Sequence, residues 1–177
     1  MKYILSALSS LALLAPVAQA VNMTNYAPSP DVEEGFKEFV QFFYFTSEST
    51  TSTTSYTDFW PKDGRMILAG YEFQGVENIL REKQKLLPRG GNKRWWHLIR
   101  GAVVKEETAA NKTYAVDVVI QTTYIGGNCS EAYGNAAFTI FKDADGVPEL
   151  EPFTGSMSLY NLTVTPLTSP TTFPCTS

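Results

Sequence analysis

The clearest pattern in the chain is a pair of runs dominated by β-branched and aromatic residues, 93–105 and 113–124, separated by a polar break at 106–112. Such runs predict two long antiparallel strands joined by a hairpin. In the second run Tyr114, Val116, Val118, Ile120, Thr122 and Tyr124 share one face, and Ala115, Asp117, Val119, Gln121 and Thr123 share the other. The first face is the more apolar and is expected to look into the fold, which leaves Asp117 outside. With a turn near Ala109 and Ala110, Asp117 is expected opposite Ala102 and His97 opposite 121–123. The two side chains would then stand ~17 Å apart along the strand, too far for a dyad.

Upstream, Val32, Phe36, Phe39, Val40 and Phe43 recur at three- and four-residue spacing, and Tyr44 extends them. This predicts a helix over 31–47. Ser29 suits its N-cap, Pro30 its first turn, and Asp31, Glu33 and Glu34 its positive end. The stripe reads as core; its other reading is a helix that walls a pocket, with Tyr44 as a polar tip. Segment 46–57 is almost pure Ser and Thr and reads as a loop, a weak helix or an O-glycosylated spacer. Two short strands are expected at 65–69 and 71–74, around Gly70, and a helix from Gly75 to about Leu87, ended by Pro88 and Gly90-Gly91. The basic cluster Arg81, Lys83, Lys85, Arg89, Lys93 and Arg94 reads as a solvated helix end rather than an anion patch. A strand over 135–142, a turn at 143–146 and a last strand within 149–163, bent near Pro152 or Gly155, complete the pattern. Residues 21–28 read as a polar lead-in, and 165–177 as a Thr/Pro-rich tail without periodicity.

Composition places this pattern in a compartment. At 177 residues and 44% hydrophobic, the chain can pack one domain, expected over 30–164. Lys2, the apolar run 4–14 and Ala18-Gln19-Ala20 read as a secretory signal peptide over 1–20, ending before Val21. No later stretch is apolar for long enough to span a bilayer. Four Asn-x-Ser/Thr sequons, at Asn22, Asn111, Asn128 and Asn161, agree with export and with a eukaryotic source. Asn22, Asn111, Asn128 and Asn161 are the candidate glycan sites; Asn111 and Asn128 sit in polar connections and are the strongest, and Asn161 is weaker because it shares strand parity with Met157 and Leu159, which read as buried. Cys129 and Cys175 are the only cysteines and are expected to form a disulfide that pins the tail and covers part of the last strand. Without Lys2, 13 basic residues face 18 acidic ones, a net −5 that argues against nucleic acid or an anionic membrane as partner.

The order helix, Ser/Thr segment, short strand pair, helix, four long strands resembles the nuclear transport factor 2-like superfamily, and within it the SnoaL-like polyketide-cyclase group. The residues that carry the likeness are Tyr56-Thr57-Asp58-Phe59-Trp60-Pro61-Lys62-Asp63-Gly64-Arg65, then Gly75-Val76-Glu77-Asn78-Ile79, then His97 near the start of the next strand. The resemblance implies an α+β fold: a curved antiparallel sheet of about four to six strands forming a cone-shaped half-barrel, with helices on the concave face. With the signal peptide, which departs from the group's pattern, and the sequons, the chain is expected to be a secreted eukaryotic, fungal, member; the resemblance implies work without metal or organic cofactor, and enzymes of the group use Asp, His and Tyr in a deep apolar cone. The pocket set it suggests here is Tyr44, Trp60, His97 and Tyr124, with a small apolar molecule as ligand and the convex sheet face open to a homodimer.

Other chemistries have no motif: there is no Gly-x-Ser-x-Gly, no His-Glu-x-x-His and no phosphate loop, and one histidine with two distant cysteines makes no metal site. Two functions remain. With no second titratable pocket group legible beside the single histidine, the leading one is a secreted binding protein for a small apolar molecule. The alternative is a cofactor-independent lyase or isomerase, of dehydratase or cyclase type, with His97 as general acid/base. They part on whether an Asp or Glu reaches His97.

Overall fold

A computed structural model describes residues 21–175. The expected signal peptide, residues 1–20, lies outside the described residues. One curved sheet carries the fold. Its strands are β1 (Val21–Asn22), β2 (Ala27–Pro28), β3 (Arg65–Leu68), β4 (Tyr71–Gln74), β5 (Lys93–Glu107), β6 (Asn111–Tyr124), β7 (Cys129–Phe141) and β8 (Met157–Val164). Their order across the sheet is β1-β5-β6-β7-β8-β3-β4, with β2 also on β5. The helices are α1 (Gly35–Glu48), α2 (Thr54–Thr57) and α3 (Val76–Leu86).

The expected all-antiparallel sheet of four to six strands is corrected to eight strands of mixed direction. β3 runs parallel to β8, and β1 and β2 run parallel to β5. The lead-in 21–28 thus joins the sheet. Two-residue strands bond through their backbones, so their side chains carry no alternation that could betray them. The same pairing moves the start of α1. The Ser29 N–H donates to the Ala102 carbonyl (2.8 Å), continuing β2, and Ser29 to Val32 closes a turn. The helix therefore begins at Gly35 with no side-chain cap, not at Asp31 behind Ser29.

The stripe on α1 packs as its spacing predicts. Phe36, Phe39, Val40 and Phe43 are buried against the concave sheet face. The Phe43 ring meets Tyr56, Phe59, Trp60, Phe138 and Tyr160 at centroid distances of 4.8–5.8 Å. Each buried aromatic of this kind contributes roughly 1.5–3 kcal/mol. Among the Ser/Thr residues, Thr46, Ser47, Ser52 and Thr57 are buried, and the segment is the last turn of α1, a turn and α2 rather than a spacer. Between β3 and β4, Ala69 and Gly70 both take positive φ (48° and 87°), the backbone of a two-residue type I′ hairpin turn.

Bulges set the register of the central hairpin. One lies between Val104 and Glu106 and one between Ile99 and Gly101. Each adds a residue to β5 and slips the pairing by one. Asp117 consequently faces Gly101 rather than Ala102, and His97 faces Ile120 rather than 121–123. Asp117 is exposed and accepts a hydrogen bond from Asn135 (3.0 Å). A further irregularity between β7 and β8 leaves Ser158 unpaired, so Met157 and Tyr160 are buried on one face while Leu159 and Asn161, both half-buried, fall on the other, which corrects the expected shared parity of Asn161 and Met157.

β7 begins at Cys129, six residues before the expected strand, because the tail completes its pairing. Thr165 donates to the Tyr133 carbonyl, and Thr168 and Glu131 exchange backbone hydrogen bonds. The Glu131 carboxylate then accepts the N–H groups of Thr172 (2.6 Å) and Phe173 (3.2 Å), while Gln121 donates to the Pro174 carbonyl (3.1 Å). Cys129 and Cys175 are disulfide-bonded, with Cα atoms 5.9 Å apart. The tail therefore runs beside β7 and over Gln121 and Glu131, not over β8.

Candidate active site

α1, α2 and α3 meet β3, β4, β5, β6 and β8 around a cavity of about 580 Å³. Its wall is mostly aromatic and aliphatic: Phe43, Tyr56, Met66, Phe73, Trp95, Ile120 and Leu162 contribute. Tyr44 and His97 line it. Trp60 does not; it is buried beside the cavity with its ring on Phe43 and Tyr56, and its Nε1–H donates to the Arg65 carbonyl (3.1 Å). Tyr124 is 37% exposed at the end of β6, away from the cavity. Two of the four residues suggested for the pocket are thus brought together.

His97 is 3% exposed and stacks at 4.5 Å on Tyr44, whose hydroxyl lies 3.3 Å from that of Tyr160. Its ring is held by an acid the sequence reading did not single out. Glu48 Oε1 lies 2.7 Å from His97 Nδ1 and also accepts the His97 backbone N–H at 2.8 Å. Both side chains are almost wholly buried. The two bonds to one carboxylate oxygen fix the ring and direct Nδ1 to Glu48; no hydrogen bond holds Nε2 among the described residues, and the second carboxylate oxygen, Glu48 Oε2, is buried without a partner. Nε2 is therefore the nitrogen available to a ligand.

Burial governs the charge of this pair. It pushes the Glu48 carboxyl up to about 9, against the downward pull of the His97 backbone N–H. It pushes the His97 imidazole down to about 3. Together the two groups hold one proton through neutral pH. In that state the pair can give a proton from His97, and once it has lost the proton His97 can take one with Glu48 balancing the charge. Burial likewise holds the Tyr44, Tyr56 and Tyr160 hydroxyls protonated far above their ordinary range, so they act as neutral donors.

Glu48 had a signal in the sequence. It is the one acid in segment 46–57 and follows Val40 and Tyr44 at four-residue spacing, on the buried face of α1. It stands at the negative end of the helix with no basic residue in the last turn, a poor place for an unpartnered carboxylate. The basic cluster hid a second residue. Arg81 and Arg89 are exposed, and Lys85 lines the cavity but is exposed and paired with Glu82, whereas Lys83 lines the cavity at 2% exposure, which corrects its reading as part of a solvated face. It too follows the stripe of its helix, four residues after Ile79. No group of three or more His, Cys, Asp or Glu side chains able to hold a metal occurs among the described residues.

Comparison with solved structures identifies the architecture. A type 2 hexachlorocyclohexane dehydrochlorinase (LinA) aligns with a TM-score of 0.58 at 14% identity, over 80% of this chain and 93% of that one. A scytalone dehydratase candidate from Novosphingobium aromaticivorans aligns at 0.59 and 11% identity, over 79% and 88%. An NTF2-like protein of unknown function from Exiguobacterium aligns at 0.51 and 14% identity, over 73% and 98%. The chain has the NTF2-like fold. No protein-family model matches the sequence, and no curated protein does. At these identities the likeness fixes the NTF2-like cone and leaves its chemistry to the residues present here.

Proposed function

We propose that the protein is a cofactor-independent lyase or isomerase that moves a proton on a small apolar substrate through the Glu48–His97 pair. The observation that carries this is the 2.7 Å contact between His97 Nδ1 and Glu48 Oε1 at the wall of an apolar cavity. It supplies the second titratable group whose absence favoured a binding protein. Nε2 takes a proton from a carbon next to an activating group, and the same nitrogen, once protonated, returns it to a leaving group or to another carbon. The apolar wall around the pair strengthens each of these interactions. Two structural neighbours are named for eliminations, a dehydrochlorinase and a dehydratase candidate, which supports elimination as the reaction type.

The test is proton exchange. The protein is incubated in D2O with apolar β-hydroxy and β-halo carbonyl compounds, and deuterium entry and loss of water or halide are followed by NMR and mass spectrometry. Wild type is expected to exchange and eliminate, and His97→Asn and Glu48→Gln to lose both. Equal rates for wild type, His97→Asn and buffer refute the reading. A compound that co-purifies unchanged and is held without exchange returns the protein to ligand binding alone.

The protein is further inferred to act after secretion, and the Cys129–Cys175 bond is compatible with an oxidising compartment. A mature N-terminus at Val21 in culture medium is the expected observation, and retention of residues 1–20 on the cell-associated protein contradicts it.

A further inference from the structure

The cavity contains a cation that proton transfer through Glu48 and His97 does not use. Lys83 occupies a position of α3 where an apolar residue would continue the stripe from Ile79, and it is 2% exposed. Its ammonium carries three N–H donors. One reaches the Ser49 carbonyl and one the Ser52 hydroxyl at 2.7 Å. Both acceptors are neutral. Among the described residues the third donor has no acceptor, and no carboxylate lies within ion-pair distance of Lys83. Glu82, its neighbour on α3, is paired with Lys85 instead. The Tyr56 ring, 5.7 Å from the ammonium, offers its π face and no more. Burial lowers the Lys83 pKa to about 8, which still leaves the cation charged at neutral pH. A buried cation with only neutral partners is costly unless a counter-charge arrives.

We propose that Lys83 is an oxygen-binding subsite of the cavity, taking the carboxylate, phenolate or enolate oxygen of an apolar ligand whose body rests on the aromatic wall. This rests on the reading of the cavity as a ligand site and narrows its substrate class to apolar molecules with an acidic or enolisable oxygen. The division of labour balances. When Nε2 of His97 removes a proton from carbon, the C–H electrons become the C=C bond of an enolate, and the negative charge falls on the carbonyl oxygen. An ammonium lining the same cavity is the group that would stabilise that oxygen, and a carboxylate placed there is bound in the ground state.

Two probes of equal shape test it: 2-naphthoate and the neutral 2-naphthalenemethanol, with binding followed by quenching of tryptophan fluorescence, since Trp95 lines the cavity. Neither probe has an acidic C–H, so the result does not depend on whether Glu48 and His97 transfer protons. Wild type at neutral pH is expected to bind the carboxylate about tenfold more tightly than the alcohol. Lys83→Arg keeps that preference, and Lys83→Met abolishes it while still binding the alcohol. Lys83→Gln keeps N–H donors for Ser49 and Ser52 and serves as the uncharged variant if the methionine does not fold. Absence of a preference in wild type, or a preference that survives in an uncharged variant, overturns the proposal.

Discussion

Substitution of Glu48 by Gln tests the buried pair without any substrate, through the pH dependence of stability. Burial raises the Glu48 carboxyl from 4.5 to about 9 on folding. A group raised in the folded state stabilises fully below its unfolded pKa, and that stability is lost as pH rises through the folded value. His97 is lowered from 6.5 to about 3 and acts in the opposite sense between those values. From 4.5 to 6.5 the two effects cancel, because the folded pair and the unfolded pair each hold one proton. Above 6.5 the unfolded histidine has let its proton go while the folded pair still keeps one. Stability should then fall by about 1.4 kcal/mol per pH unit. Between pH 6.5 and 8, where Lys83 begins to titrate with the opposite sign, the loss is about 2 kcal/mol. This follows from the proton count on the pair, whichever of the two side chains holds the proton. The assay is urea unfolding under non-reducing conditions, read by tryptophan fluorescence at steps across that window. Glu48→Gln leaves a lone buried neutral imidazole and should flatten the slope. A wild type with no decline, or a Gln variant with the same decline, refutes the shared buried proton.

Other outcomes follow from the same contacts. His97→Asn should cut turnover by about 10²–10⁴-fold, and wild-type kcat/KM should rise with pH from neutral to about 8, as the pair begins to lose its proton, and level off there as Lys83 gives up its charge; a flat profile from pH 6.5 to 8 contradicts this. Cys129→Ser with Cys175→Ser opens a cross-link spanning 46 residues and should lower the unfolding free energy by about 4 kcal/mol. In the same variant the Glu131 amide, which donates to the Thr168 carbonyl, should exchange faster as the tail leaves β7. Asn128 is exposed and should carry a glycan in secreted protein, so Asn128→Gln should remove one endoglycosidase-sensitive mobility step; unchanged mobility rules it out.

The amino-acid pattern determined the elements whose burial is local and periodic. The stripe on α1, the faces of β6 and the turn chemistry around Gly70 and Asp143–Gly146 follow from side chains a few residues apart, each set against one neighbouring surface. The resemblance read from 56–65, 75–79 and His97 added the cone. Tertiary structure decided what depended on contacts between distant segments. The two bulges in β5 slid His97 along β6 to face Ile120 instead of 121–123, and no local pattern announces a bulge. The edge strands at 21–22 and 27–28 bond only through backbone atoms, which side-chain periodicity does not record. Glu48 and Lys83 lie on apolar helix faces, but Glu48 fell within the Ser/Thr segment and was not singled out, and the charge of Lys83 made it read as surface, because transfer of a lone charge from water is so costly. Only the packing of α1 against β5 gives Glu48 its partner, 49 residues away, and only that of α3 against the Ser49–Ser52 turn gives Lys83 its two hydrogen-bond acceptors, 31–34 residues away along the chain.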